Sequence, residues 1–130
     1  MREPILIVDD SSDNRELTQI LLDAEGFETK TAADAVQALW ILKIYRPALI
    51  LMDIQLPGIG GLELTRMLRK DPAFQNVVIV AVSAYAMASD KKKARAAGCD
   101  GYITKPIDTR TFAATVCGYL GARSALPTAR

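Results

Sequence analysis

Five residues in this sequence could do chemistry together. Asp9 and Asp10 close a short apolar run, Ile5-Leu6-Ile7-Val8, and Asp53 closes a second one, Ala48 to Met52. Ser83 follows a third run, Val77 to Val82, and Lys105 follows Gly101-Tyr102-Ile103-Thr104. Three carboxylates held side by side repel one another, which raises their pKa values or costs stability unless a cation sits among them. Mg²⁺ is the natural cation, with Mn²⁺ as its substitute: it is hard, takes oxygen ligands and is typically held by one or two carboxylates plus a phosphate. Lys105 would add a flexible point charge suited to a phosphoryl oxygen, and the Ser83 hydroxyl could bond another. Such a set would hold an anion between a metal ion, a lysine and a serine.

That chemistry requires a fold that brings the five residues together. The run Ala48 to Asp53 continues into Ile54-Gln55-Leu56-Pro57-Gly58 and suits a strand buried on both faces, as in parallel sheets covered by helices on either side. Pro4 to Val8 and Val77 to Val82 repeat the pattern, and Phe27 to Thr31 and Gly101 to Thr104 are shorter strands. Helical patterns lie between them. Asp13 with Glu16 resembles a capping box, and Leu17, Ile20, Leu21 and Ala24 keep helical spacing until Gly26. Asp34 starts a second helix with Ala35, Ala38, Leu39 and Leu42 inward, ended by Arg46-Pro47. A third helix, after a Gly58 to Gly61 loop, turns Leu64, Met67 and Leu68 inward and stops at Asp71-Pro72. The fourth is entered through Ala84-Tyr85-Ala86-Met87 and stopped by Gly98. Asp108 or Thr109 caps the fifth, with Phe112, Ala113, Val116 and Leu120 inward.

Five strand-helix units with short connections predict an α/β fold. It is a doubly wound (βα)5, flavodoxin-like sheet of five parallel strands in the order 2-1-3-4-5. Ligands of such sheets bind outside the carboxyl ends of the strands, the edge to which Asp9, Asp10, Asp53, Ser83 and Lys105 all belong.

Composition narrows the classes. A chain of 130 residues, half of them apolar, buries one core, so one domain is expected over residues 1–122, with 123–130 a flexible tail or the start of a linker. The net charge of +1 offers no general attraction to nucleic acid or an anionic membrane. Two cysteines and no histidine exclude a disulfide framework, a zinc site and a histidine base. No signal peptide is recognisable and no apolar run approaches the ~20 residues that span a bilayer, which predicts a cytoplasmic protein. No segment suggests a DNA-binding or catalytic output.

Each residue also has an ordinary reading. Asp9 and Asp10 could start a helix, Ser83 could be a turn hydroxyl, Tyr102 a half-buried sheet aromatic and Lys105 a solvated cation. Lys91-Lys92-Lys93 with Arg95 reads as a solvated helix face or a contact for an acidic partner. Trp40, Ile44 and Tyr45 lie beside a filled inward stripe and form either an interface patch or a flank of the core. Convergence on one sheet edge favours function for the acidic, serine and lysine set.

The ordered set of Asp9-Asp10, Asp53, Ser83, Tyr102 and Lys105-Pro106 resembles a response-regulator receiver domain of the CheY-like superfamily, from Pro4 to about Leu120. Leu51-Met52-Asp53-Ile54-Gln55-Leu56-Pro57 and Ala81-Val82-Ser83-Ala84-Tyr85-Ala86-Met87 are most similar to DivK-type single-domain regulators and to receivers of hybrid histidine kinases. The resemblance implies a two-component phosphoacceptor regulator rather than an enzyme. Asp53 would take a phosphoryl group from the phosphohistidine of a histidine kinase or histidine phosphotransfer protein. Asp9, Asp10, Asp53 and the backbone carbonyl of Gln55 would hold Mg²⁺ or Mn²⁺, and Lys105 would pair with the phosphoryl group. Ser83 and Tyr102 would be the switch residues, and Gln55 and Tyr85 would tune the lifetime of the acyl phosphate by gating water. The resemblance also implies a cis Lys105-Pro106 bond. The face of the fourth helix, fifth strand and fifth helix would change for a downstream protein or output domain. Two alternatives compete. A Mg²⁺-dependent phosphatase of the HAD type wants a second Asp two residues after the first, where this chain has Ser11 after Asp9. A phosphorylation-independent docking module would lack part of the acidic set or the lysine.

Overall fold

The computed structural model describes residues 3–125, with side chains as far as residue 121. Five strands, β1 (Pro4–Val8), β2 (Glu28–Ala32), β3 (Leu49–Asp53), β4 (Val78–Ser83) and β5 (Gly101–Thr104), alternate with five helices. These are α1 (Ser12–Asp23), α2 (Ala35–Leu42), α3 (Gly61–Arg69), α4 (Ala88–Ala97) and α5 (Phe112–Ala125), and a 3-10 turn at Pro72–Phe74 precedes β4. All pairings are parallel and the order is β2-β1-β3-β4-β5. The predicted architecture and strand order are those observed.

The two sides of the sheet follow from strand alternation. Leu6, Val8, Ile50, Met52, Ile79 and Ala81 face one layer, where they meet Ala35, Ala38 and Leu42 of α2, Leu64 and Leu68 of α3 and Ala94 of α4. Ile5, Ile7, Leu49, Leu51, Val78, Val80 and Val82 face the other, against Leu22 of α1 and Phe112, Val116 and Leu120 of α5. Both faces of β1, β3 and β4 are thus covered, which is why these strands read as unbroken apolar runs. Full burial of each such side chain is worth ~1.5–3 kcal/mol, enough to hold the register that aligns the strand ends.

Local capping departs from the sequence pattern in places. The N-cap of α1 is Ser11, whose side chain accepts from the Asn14 N–H, so Asp13 lies in the first turn. The buried residues of α1 are Thr18 and Leu22, Leu21 packs partly buried against the same core, and Ile20 is exposed. In α3 the buried set is Gly61, Leu64, Thr65 and Leu68, and Met67 faces solvent. Asp34 caps α2 as expected, accepting from the Gln37 N–H at 2.8 Å. Gly98 ends α4 in the left-handed conformation, φ 115°. Asp108 does not start α5 directly: its carboxylate takes the Arg110 N–H and its carbonyl the Phe112 N–H, forming a turn before the helix. Helix α5 continues to Ala125, and residues 126–130 of the expected tail lie outside the described residues.

Candidate functional site

Register brings the chemical residues together. Val8 pairs with Met52, so Asp9 and Asp53 leave their strands side by side, and Asp53 pairs with Val82, one step before Ser83. Ser83 in turn pairs with Thr104, so Lys105 follows at the same edge. One carboxylate oxygen from each of Asp9, Asp10 and Asp53 falls within 4.8 Å of the others, with Asp9 and Asp53 buried and Asp10 exposed. The Lys105 ammonium lies 3.2 Å from Asp53 Oδ2 and 3.4 Å from Asp9 Oδ2. The Lys105-Pro106 peptide bond is cis, and the Lys105 N–H donates to the Ser83 carbonyl at 2.8 Å.

Backbone donors hold the two buried carboxylates in place. Asp53 Oδ1 accepts from the Gln55 N–H at 3.0 Å, and Asp9 Oδ1 accepts from the Ser11 N–H at 2.9 Å. The turn after Asp9 is further tied by Arg15, whose guanidinium donates to the Asp9 carbonyl at 2.8 Å. The Ile54 N–H continues the sheet to the Val82 carbonyl, and the Gly61 N–H returns to the Ile54 carbonyl. Gly61 is required there: a Cβ would sit 2.1 Å from the Asp53 carbonyl oxygen.

The electrostatics are those of an acidic sheet edge with the Lys105 ammonium set between two of its carboxylates. Burial pushes the Asp53 carboxyl above its ordinary value; the Gln55 N–H pulls it down, Asp9 pushes it up and Lys105 pulls it down. Burial works against the charge of Lys105, yet Asp53 and Asp9 outweigh it and leave the ammonium more firmly protonated than usual. Two buried carboxylates sharing one lysine leave negative charge unmatched, and Asp10 adds to it from the rim.

Ser83 is fully buried, and its hydroxyl donates to the Gln55 side-chain carbonyl at 3.2 Å while its oxygen accepts from the Tyr85 N–H at 3.1 Å. The Tyr102 hydroxyl donates to the Tyr85 carbonyl at 2.7 Å. All eight residues expected at the site, Asp9, Asp10, Asp53, Gln55, Ser83, Tyr85, Tyr102 and Lys105, therefore belong to one edge or to the hydrogen-bonded loop beside it. Sequence reasoning missed three supporting residues, Ser11, Arg15 and Gly61. A serine two residues after Asp9 and the Gly60-Gly61 pair were the available signals; nothing in the sequence singles out Arg15.

Elsewhere, of the three residues beside the inward stripe of α2, Trp40 and Ile44 are exposed and Tyr45 flanks the core, buried, its hydroxyl directed at the carbonyls of Ile5 and Glu28. Arg69 fastens the opposite end of the sheet. Its guanidinium donates to the carbonyls of Gly98, Phe74 and Val77 and pairs with Asp100 at 2.8 Å.

A cluster of this kind on a 2-1-3-4-5 sheet finds its match among known proteins. Residues 5–116 fit the family described as the response regulator receiver domain. The chain belongs to that family. The receiver is 40% identical over 121 residues to the polar-differentiation response regulator DivK of Brucella anthropi, covering 93% of this chain and 98% of that protein. Among solved structures it is similar to a CheY-like response regulator receiver domain protein from Methanospirillum hungatei (TM-score 0.86, 30% identity, 95% of this chain and 98% of that one). It is also similar to the receiver domain of the sensor histidine kinase PA1611 from Pseudomonas aeruginosa (TM-score 0.83, 28% identity, 93% and 99% covered). That structure holds a magnesium ion in its active-site cleft. The protein is thus a two-component signalling receiver, and the phosphatase and docking-module alternatives are not favoured. Among the described residues no helix is long and apolar enough to cross a membrane.

Proposed function

We propose that Asp53 is the phosphoacceptor and that the receiver takes its phosphoryl group from a phosphohistidine on a histidine kinase or histidine phosphotransfer protein. The observation that carries this reading is the meeting of three carboxylates within 4.8 Å of one another with one lysine 3.2 Å from the most buried of them. The donor set is all oxygen, hard and over-negative, which fits Mg²⁺ or Mn²⁺. Asp9, Asp10, Asp53 and the Gln55 backbone carbonyl would hold the ion. When bound, it neutralises charge on the cluster and on the phosphoryl oxygens.

The rest is the work of the chain. Asp53 Oδ2 attacks phosphorus, forming a P–O bond as the P–N bond to the donor imidazole breaks and the imidazole nitrogen leaves with the electron pair. Phosphoryl transfer asks the protein mainly for alignment and charge, and the Gln55 N–H on Oδ1 leaves Oδ2 to react. Lys105 already sits beside Oδ2 and pairs with the incoming phosphoryl oxygens. Ser83 and Tyr102 act as the switch, and the face of α4, β5 and α5 presents the result to a downstream protein or an output domain. Tyr85 and Gln55 set how long the acyl phosphate lasts. On this reading the receiver unit extends through α5 to Ala125, where a tail or linker begins, and works in the cytoplasm without membrane or nucleic-acid contact of its own.

The test is incubation with acetyl phosphate and Mg²⁺ followed by intact mass. Wild type gains one phosphoryl group and Asp53→Asn gains none. Uptake by Asp53→Asn, mapped to Asp9 or Asp10, would overturn the assignment.

A further inference from the structure

The hydroxyl of Ser83 has a single proton to give, and in this structure that proton is committed. It goes to the side-chain carbonyl of Gln55 at 3.2 Å, while the Ser83 oxygen receives the Tyr85 N–H at 3.1 Å. Ser83 is fully buried, so water offers no substitute partner, whereas Gln55 is an exposed residue at the mouth of the site. The Tyr85 carbonyl is in turn the acceptor of the Tyr102 hydroxyl at 2.7 Å. One hydrogen-bonded chain therefore runs from Gln55 through Ser83 and Tyr85 to Tyr102.

We propose that the Gln55 side-chain amide is a resting-state latch on Ser83. A phosphoryl group on Asp53 must win the Ser83 proton from Gln55 before the β4–α4 loop can rearrange. The inference rests on the phosphoacceptor reading for its second half, but the latch itself belongs to the unmodified protein. Gln55 acts here as a positioning residue, through Ser83, and its amide is freed once Ser83 turns to the phosphoryl group. The competition is between two hydrogen bonds of one hydroxyl, so removing the resting one shifts the balance by the worth of a single neutral hydrogen bond, on the order of fivefold.

The experiment uses Gln55→Met, which keeps length and loses the acceptor, on a surface position where folding is not at stake. In metal-free, unphosphorylated protein the Tyr85 amide resonance reports the position of the Ser83 oxygen. It should move in Gln55→Met, along the direction taken by wild type on phosphorylation. Uptake from acetyl phosphate should rise by about fivefold in the same variant, and that gain should disappear when Gln55→Met is combined with Ser83→Ala. A Tyr85 amide unmoved by Gln55→Met overturns the latch, as does a gain that persists without the serine hydroxyl. Wild type that takes up no phosphoryl group sinks the phosphoacceptor reading instead, and the resting-state resonance still decides the latch.

Discussion

Gly61→Ala is the substitution for which the structure demands the largest response away from the charged residues. A Cβ at Gly61 would lie 2.1 Å from the Asp53 carbonyl oxygen and 2.9 Å from both the Asp53 carbonyl carbon and Ile54 Cα. Non-bonded contacts settle near 3.5–4 Å, so more than about 1 Å of separation has to be created at the Asp53 carbonyl oxygen. The obstacle is backbone at the end of β3, not a side chain that can swing aside, and the first turn of α3 is tied to it by the Gly61 N–H to Ile54 carbonyl bond. Overpacking of this kind costs ~1–3 kcal/mol, against which the better helix propensity of Ala at a terminal position recovers only part. For a domain between the small and medium size classes that corresponds to a Tm lowered by about 5–10 °C. The displaced atoms belong to Asp53, so uptake from acetyl phosphate should fall as well, on the order of 10²-fold for an ångström of misplacement. Thermal melts with Gly118→Ala as comparison provide the check. Gly118 lies within α5 with nothing near its missing Cβ, and Ala there should stabilise by ~0.5–1 kcal/mol. If Gly61→Ala melts with wild type and takes up phosphate at the wild-type rate, the contact is not what positions Asp53.

Mg²⁺ should raise Tm, because a ligand that binds only the folded state adds ~1.4 kcal/mol at ten times its Kd; Asp10→Ala should remove most of that response, and an undiminished rise would remove Asp10 from the ligand set. Burial raises the Asp53 pKa, so its ionised form costs folded-state stability at neutral pH, and Asp53→Asn should melt higher than wild type in metal-free buffer. Tyr85 presents an exposed ring beside Ser83, and Tyr85→Ala should shorten the acyl-phosphate lifetime once donor is removed; an equal or longer lifetime refutes shielding by the ring. Burial pushes the Cys99 thiol from 9.0 up to about 11, and burial with Glu28 pushes Tyr45 from 10.0 up to about 12. Both folded pKa values lie above the unfolded ones, so their stabilisation is complete below pH 9.0 and lost as pH rises through about 11 and then about 12. The unfolding free energy from urea titrations should fall across that range by ~2–3 kcal/mol for each group, and Cys99→Ala should flatten the lower part of the decline.

The strand framework and the acidic edge were legible because both depend on local composition. Ile5 to Val8, Leu49 to Met52 and Val78 to Val82 are apolar at every position, which only a strand covered on both faces can use, and each ends in a residue able to do chemistry. Parallel pairing then leaves those residues one common edge. The helix faces were less determined. In α1 apolar residues lie on more than one side, and docking on the sheet chose Leu22 with Thr18 over Ile20. In α3 it chose Thr65, whose hydroxyl returns to the Gly61 carbonyl at 2.9 Å and so can be buried, over Met67. Tyr45 went inside for a similar reason: two strand carbonyls, from Ile5 and Glu28, await its hydroxyl, and they are 40 and 17 residues away. The finer machinery of the site was hidden because it depends on how the helices dock on the strand ends, even where the partners are near in sequence. Gly61 is needed only because α3 begins against the backbone of Asp53, and Arg15 matters only because α1 turns it back to the Asp9 carbonyl. The pairing of Ser83 with Gln55 joins residues 28 apart whose side chains meet only when β3 and β4 are in register.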